Sequence, residues 1–203
     1  MTKKPRGRPR SYDPEKALGA AMETFWEAGF TATSLDDLAA ATGMNRPSLY
    51  AAFGDKKSIY LKSFEAFAGS LRTALREAMG ADMPLGSALE TFYGAAIEIY
   101  LSGPHGPRGC FIACTAPAEA ARDADIRAAL HDVLKEIDAA LTMMFSRAQA
   151  KGEIAKEADA AALAQLAAAV LHSIALRARA GETRDGLHAL ARQAVKSLSQ
   201  ETE

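Results

Sequence analysis

Apolar positions along the chain recur at helical spacing, and the breaks between them fall at glycine, proline or short polar segments. Leu18, Ala21, Met22 and Phe25 mark the first such stretch. It starts at Asp13-Pro14, an acid suited to capping, followed by a proline whose missing N–H is harmless in a first turn. Gly29 supplies its stop. Thr33-Ser34-Leu35-Asp36-Asp37 opens a second helix, since either hydroxyl can pair with the acid three residues on. That helix reaches Thr42, where Gly43 breaks it. A third covers 46–53, with Pro47 tolerated in its first turn. Gly54-Asp55 ends it and caps a long fourth helix over 56–79. A boundary follows at 80–86, then helices over 86–101, 108–117, 123–150, 158–179 and 185–199, with a glycine- and proline-bearing loop at 102–107. No strand pattern interrupts the series, so the expected fold is all-α.

Composition agrees with that pattern. The apolar residues are mostly alanine and leucine, while aromatic residues make up 7% of the chain, which favours helix over sheet. The net charge of −1 changes the picture only when it is placed along the chain. Residues 1–10 hold Lys3, Lys4, Arg6, Arg8 and Arg10 and no acid; without those five charges the rest carries −6. A basic tip on an acidic body is the asymmetry expected of a nucleic-acid arm. The start MTKKPRGRPRSYDPE lacks the apolar core of a signal peptide, and two cysteines are too few for a disulfide framework. Both point to the cytoplasm. The apolar run over 160–176 is mostly alanine and holds Gln165, His172 and Ser173, so it reads as a core helix rather than a membrane span.

The spacing around Gly43 narrows the function. Two helices that cross closely need a small residue inside the first and a glycine in the turn. Counted from Leu35, Ala39 takes the close-contact position and Gly43 the turn, while Leu38, Met44 and Leu49 plug the shared core. This is the pattern of a helix-turn-helix.

The same region resembles the TetR-type regulators. The resemblance rests on the run from Gly29 to Ala39, on Gly43-Met44-Asn45, and on Ser48-Leu49-Tyr50-Ala51-Ala52-Phe53-Gly54-Asp55-Lys56. It is strong over residues 12–60; the remainder matches in length and helical character. It implies a basic arm over 1–11, a DNA-binding domain over 12–58, and an effector-binding and dimerisation domain over 59–203. Thr33 and Ser34, at a helix N-terminus, are suited to donate to a backbone phosphate. Tyr50 and Lys56 match the family's phosphate-contacting tyrosine and lysine. Asn45, Arg46, Pro47 and Ser48 open the recognition helix, where Arg46 can take guanine bidentately and Asn45 can take adenine or a phosphate. Ala51 and Ala52 depart from the larger side chains often found there, which shifts recognition onto Arg46 and Ser48.

The arm also contains Arg6-Gly7-Arg8-Pro9, which resembles the core of the AT-hook type. Arg6, Arg8 and Arg10 are therefore candidates for the narrow minor groove of A·T-rich DNA. An architectural DNA-binding protein built on this arm is an alternative, but it leaves the second half without a role.

In the second half, the 158–179 helix is apolar on more than one side, so it is buried against its own core and against something else. The resemblance implies a four-helix dimer interface, for which Leu163, Leu166 and Val170 of that helix and Leu187, Leu190, Ala194 and Val195 of the next are the candidates. It also implies a small-molecule effector pocket among the middle helices. Phe92, Tyr93, Ile97, Tyr100, Phe111, Met143, Met144, Phe145 and His172 are candidates for its lining. Cys110 and Cys114 lie four apart, on one helical face, and a redox or electrophile sensor on the same scaffold is a second alternative. A zinc site would need more ligands than these and His105. No nucleophile elbow, phosphate loop or metal spacing is present, so neither enzyme chemistry nor a cofactor is expected. The expected protein is a regulator, most simply a repressor, that binds a palindromic DNA operator as a homodimer and is released by a small molecule.

Overall fold

The computed structural model describes residues 12–80 and 83–199, and among them every regular element is a helix. The chain divides into two compact units after Ser63. Arg6, Arg8 and Arg10 lie outside the described residues.

The first unit holds α1 (Pro14–Ala32), α2 (Leu35–Thr42), α3 (Arg46–Phe53) and the start of α4 (Lys56–Gly80). Asp13 caps α1 by accepting from the backbone N–H groups of Glu15 and Lys16. The stop expected at Gly29 is a kink: Gly29 adopts φ 79°, ψ 170°, and a last helical turn follows to Ala32. Asp55 caps α4 through the Ser58 N–H, at 2.7 Å. Between α2 and α3, Gly43 sits in the left-handed region at φ 64°, ψ 17°, which lets Met44 N–H return to the Ala39 carbonyl. A side chain other than glycine would be strained there, so the turn geometry depends on this residue.

Leu38, Met44 and Leu49 are buried, as the helix-turn-helix spacing requires, and Leu35 and Ala39 are half-buried beside them. Truncating Leu38 or Leu49 to alanine is expected to cost about 2–5 kcal/mol. An aromatic cluster completes this core. Tyr60 meets Phe25 edge-on at 5.2 Å between ring centroids and Phe30 at 5.1 Å.

The second unit comprises α4 from Phe64 on, α5 (Leu85–Leu101), α6 (Phe111–Ala120), α7 (Ala124–Lys151), α8 (Ala160–Arg179) and α9 (Arg184–Leu198). Asp123, Asp159 and Thr183 cap α7, α8 and α9 with their side-chain oxygens. α7 lies along α8, α5 along α9, and α6 rests on α7 and α8. α8 is long and apolar enough to cross a membrane by length and composition alone. Here it packs against α5, α6, α7 and α9, with seven of its residues buried.

α6 departs from the sequence expectation of 108–117. Arg108 and Gly109 instead donate their N–H groups to the Tyr100 carbonyl, at 2.9 and 3.1 Å, which closes the preceding loop on the end of α5. The helix then starts at Phe111 and runs past Pro117 to Ala120. A proline in a helix removes one hydrogen bond and strains its neighbour, and here the flanking buried residues Thr115, Ala116 and Ala120 hold the helix through it.

Candidate nucleic-acid interface and ligand cavity

α3 has one face in the core and one in solvent. Leu49 and Phe53 are buried, whereas Asn45, Arg46, Pro47 and Tyr50 are exposed and Ser48 is half-buried. Tyr50 retains 48% of its surface, so it is no packing tyrosine.

Asn45 is the N-cap of α3. Its side-chain oxygen accepts the Ser48 N–H at 2.9 Å. The cap takes one of that oxygen's two lone pairs and fixes the side chain's direction, while both amide N–H donors stay open. Of the two ligands considered for Asn45, a phosphate oxygen suits the free donors.

Arg46 occupies the first position of α3 and meets Asp36 of α2. Its Nε donates to Asp36 Oδ1 at 2.7 Å, and its Nη2 contacts Asp36 Oδ2. The hydrogen bond from Arg46 holds the Asp36 carboxyl below its ordinary pKa. Sequence reading missed this partner, because the pair is ten residues apart on two helices.

The two hydroxyls at the start of α2 separate cleanly. Ser34 caps the helix: Asp37 N–H donates to its Oγ at 3.1 Å, while Ser34 N–H and Oγ–H both donate to the Asp37 carboxylate, at 2.8 and 2.7 Å. Those bonds pull the Asp37 carboxyl below its usual range. Ser34 remains exposed, but with both its donors on Asp37 it does not offer the phosphate contact expected of it. Thr33 does not fit the expectation of a phosphate contact. It is 1% exposed, and its hydroxyl donates inward to the Gly29 carbonyl at 2.7 Å, tying down the kink of α1.

Lys56, half-buried at the start of α4, places its ammonium 4.5 Å from the centre of the Phe30 ring. The ring face steadies the charge without neutralising it. Lys62, which the sequence reading passed over, donates to the Phe53 carbonyl at 2.6 Å, closing the C-terminal end of α3.

The second unit contains a cavity of about 270 Å³. Tyr100, Cys110, Pro117, Leu134, Leu171 and His172 line it, with Leu71, Ile112, Ala113, Leu130, Val133, Ile137 and Leu176. None of these is Asp, Glu, Lys or Arg. A second hollow of about 260 Å³ shares the wall formed by Leu71, Val133 and Ile137. Its rim carries Arg72, which Glu65 and Glu136 clamp at 2.7–3.1 Å.

Of the residues expected at an effector pocket, Tyr100 and His172 stand on the larger cavity's wall, and exposed Met143 borders the second hollow. Phe92, Tyr93, Ile97 and Phe111 do not line either: they are packed in the core. Tyr93 spends its hydroxyl on the Ala167 carbonyl at 2.9 Å, joining α5 to α8. Phe92 faces only a crevice of about 10 Å³, too small for an organic ligand. Met144 and Phe145 are buried in α7.

Burial lowers the pKa of His172, with Asp138 pulling partly back, so the imidazole is neutral near pH 7. Burial also pushes the Cys110 thiol up to about 11 and raises Cys114, against a smaller opposing pull from Arg179. Both cysteines are unbridged. Activated thiols carry the opposite shift, so burial here favours a packing role for both over a sensing one. The double variant Cys110→Ala, Cys114→Ala is expected to respond to peroxide or an alkylating agent as wild type does. Release of wild-type protein from DNA by oxidant, with a resistant double variant, would reverse this reading.

The residues expected at a dimer interface fall into two groups. On α8, Leu166 is 58% exposed and Leu163 and Val170 are half-buried; on α9, Leu190 and Ala194 are half-buried. Leu187 and Val195 do not belong with them. Both are buried inside the protomer, and Val195 lies beside Gly86 of α5.

Comparison with known proteins agrees with both units. Residues 17–62 match the model for bacterial regulatory proteins of the tetR family, and residues 87–195 match the tetracyclin repressor-like C-terminal domain. The chain is 30% identical over 191 residues to the HTH-type transcriptional repressor ComR of Escherichia coli K12, covering 93% of this chain and 90% of that one. It is 30% identical over 195 residues to the transcriptional regulator AcuR of Cereibacter sphaeroides, covering 92% and 88%. Among solved structures, it is similar to a cysteine mutant of the TetR family transcriptional regulator CifR complexed with 26bp double-strand operator DNA. That match has a TM-score of 0.83 at 27% identity and covers 94% of this chain and 99% of the other.

Proposed function

This chain belongs to the tetR family of bacterial regulatory proteins, and from that premise we propose that it is a cytoplasmic repressor that holds a palindromic operator as a homodimer and releases it when a small molecule fills its second unit. The observation that carries the reading is the division of α3. Leu49 and Phe53 anchor the helix in the core, which leaves Asn45, Arg46, Pro47 and Tyr50 on a rigid face open to solvent. Phosphate contacts fall to Asn45, Tyr50 and Lys56, and base reading falls to Arg46 with Ser48. The operator-bound structure of CifR supports this use of the fold.

The effector site is the cavity of about 270 Å³ on whose wall Tyr100 and His172 stand. With no charged lining and a neutral imidazole, it suits a small, uncharged, mostly apolar molecule with one polar group. α4 belongs to both units, with Lys56 at its start and Leu71 in the cavity wall, and is the natural element for linking ligand to DNA.

The test is selection of duplexes from a randomised pool, followed by titration of the enriched sequence. An inverted repeat saturated by two protomers is the expected result, with half-sites one helical turn or a multiple of it apart. Enrichment of a single half-site, or retention without sequence preference, would exclude a palindrome reader.

A further inference from the structure

The guanidinium of Arg46 is held along one edge only. Arginine has five N–H donors: one on Nε and two on each terminal nitrogen. Asp36 takes the Nε–H, at 2.7 Å, and a donor of Nη2. Both donors of Nη1 and the outer donor of Nη2 remain. The outward pair, one from each terminal nitrogen, is the fork that fits guanine O6 and N7. The carboxylate therefore leaves the reading edge open while fixing its direction.

We propose that Asp36 is a specificity-determining positioning residue, which buttresses Arg46 so that its free fork meets a guanine edge and not a phosphate.

Three features support this role. Arg46 is exposed, and a long side chain in solvent loses rotamer freedom when it binds, so restraint before binding favours the one restrained pose. Asp36 is on α2 and Arg46 on α3, with Gly43 setting the turn between them, so the buttress is as rigid as the helix pair. The carboxylate also opposes a phosphate approaching the same guanidinium, which penalises the sequence-blind contact. The neighbouring acid does none of this, because Asp37 is spent on the Ser34 cap.

The inference rests on α3 being the recognition helix, and the experiment separates the two. Full-length wild type, Asp36→Asn, Asp36→Ala, Arg46→Ala and the double variant Asp36→Ala, Arg46→Ala are titrated against the duplex enriched by wild type and its single-base variants. Circular dichroism checks that each variant keeps its helices; Asp36 is exposed, and asparagine preserves its shape. Arg46→Ala is expected to flatten preference at one guanine of each half-site by about tenfold or more. Asp36→Asn and Asp36→Ala are expected to flatten the same position and no other, with affinity for unrelated duplex unchanged or higher. In the Arg46→Ala background, removing Asp36 should change base preference no further. Tighter operator binding by Asp36→Ala with an intact profile would make Asp36 a competitor and overturn the proposal. A uniform loss at every position, or the same loss without Arg46, would make its role structural and overturn it equally. A flat response to Arg46→Ala itself would overturn both the proposal and the assignment of base reading to Arg46. If Arg46→Ala loses preference at one position while both Asp36 variants keep it, only the buttress fails.

Discussion

Leu166→Glu is expected to convert the proposed homodimer to a monomer of 21.5 kDa and to weaken operator binding by about 10²–10⁴. The reason lies in exposure. Leu166 projects from α8 with 58% of its surface open, and half-buried Leu163 and Val170 flank it at helical spacing. An apolar surface of this kind on a helix that is already buried on its opposite side is the sign of a second packing partner. A glutamate there meets water in the monomer at little cost, so helicity and thermal stability of the protomer should hold. In a dimer it would be buried against apolar side chains without a counter-charge. Operator binding then falls because two linked half-site contacts become two separate ones. Val195→Glu separates this effect from unfolding. Val195 is 5% exposed within the protomer, so the charge would enter the α5–α9 core and the variant should lose its folded structure. Light scattering and thermal denaturation of both variants distinguish the cases. A Leu166→Glu protein that remains dimeric would place the interface elsewhere.

The contrast between Leu166 and Val195 also shows how far sequence reading extends. Apolar periodicity identified α8 and α9 as helices with more apolar surface than one contact needs. Periodicity reports that a face is covered, but not by what. Leu187 and Val195 are buried within their own chain, Val195 beside Gly86 of α5, while Leu166 is left outside. Some helix starts were legible for a local reason. Asp13, Ser34 and Asp55 cap through bonds to residues two or three further on, so the code lies within one turn, and Asn45, Asp123, Asp159 and Thr183, not read as caps, follow the same rule. Thr33 and Ser34 offered equivalent capping boxes on paper; in the structure Thr33 turns inward to the Gly29 carbonyl and Ser34 caps.

Long-range features were less legible. The Asp36–Arg46 pair depends on the angle between α2 and α3, which the turn sets and no spacing rule encodes. The cavity depends on where packing is incomplete. Phe92 and Tyr100 are equally candidates for the pocket lining by sequence, yet Tyr100 borders the cavity of about 270 Å³ and Phe92 does not. Volume left unfilled is a property of all the surrounding side chains together.

Deleting residues 1–10 is expected to reduce the salt dependence of operator binding more than any single substitution. Arg6, Arg8 and Arg10 are spaced by Gly7 and Pro9 in a stretch without acids, and five of the chain's 24 Lys and Arg residues fall within it. Each phosphate neutralised by a bound cation contributes about 0.9 to the slope of log affinity against log salt concentration. If two or three arginines of each subunit engage, deletion from both subunits should lower the slope by about 4–5. Across a fourfold change in salt, that slope difference corresponds to a change in relative affinity of roughly 500-fold. The half-site preference set by α3 should survive, because it is carried by other residues. A minor-groove arm predicts a further difference, since narrow A·T tracts concentrate negative potential and attract arginine. Full-length and truncated proteins are therefore compared on A·T-flanked and G·C-flanked operators at several salt concentrations. A reduced slope together with loss of the A·T preference fits an arm lying in the groove. A reduced slope without flank dependence would make the arm an electrostatic tether, and an unchanged slope would remove it from the interface.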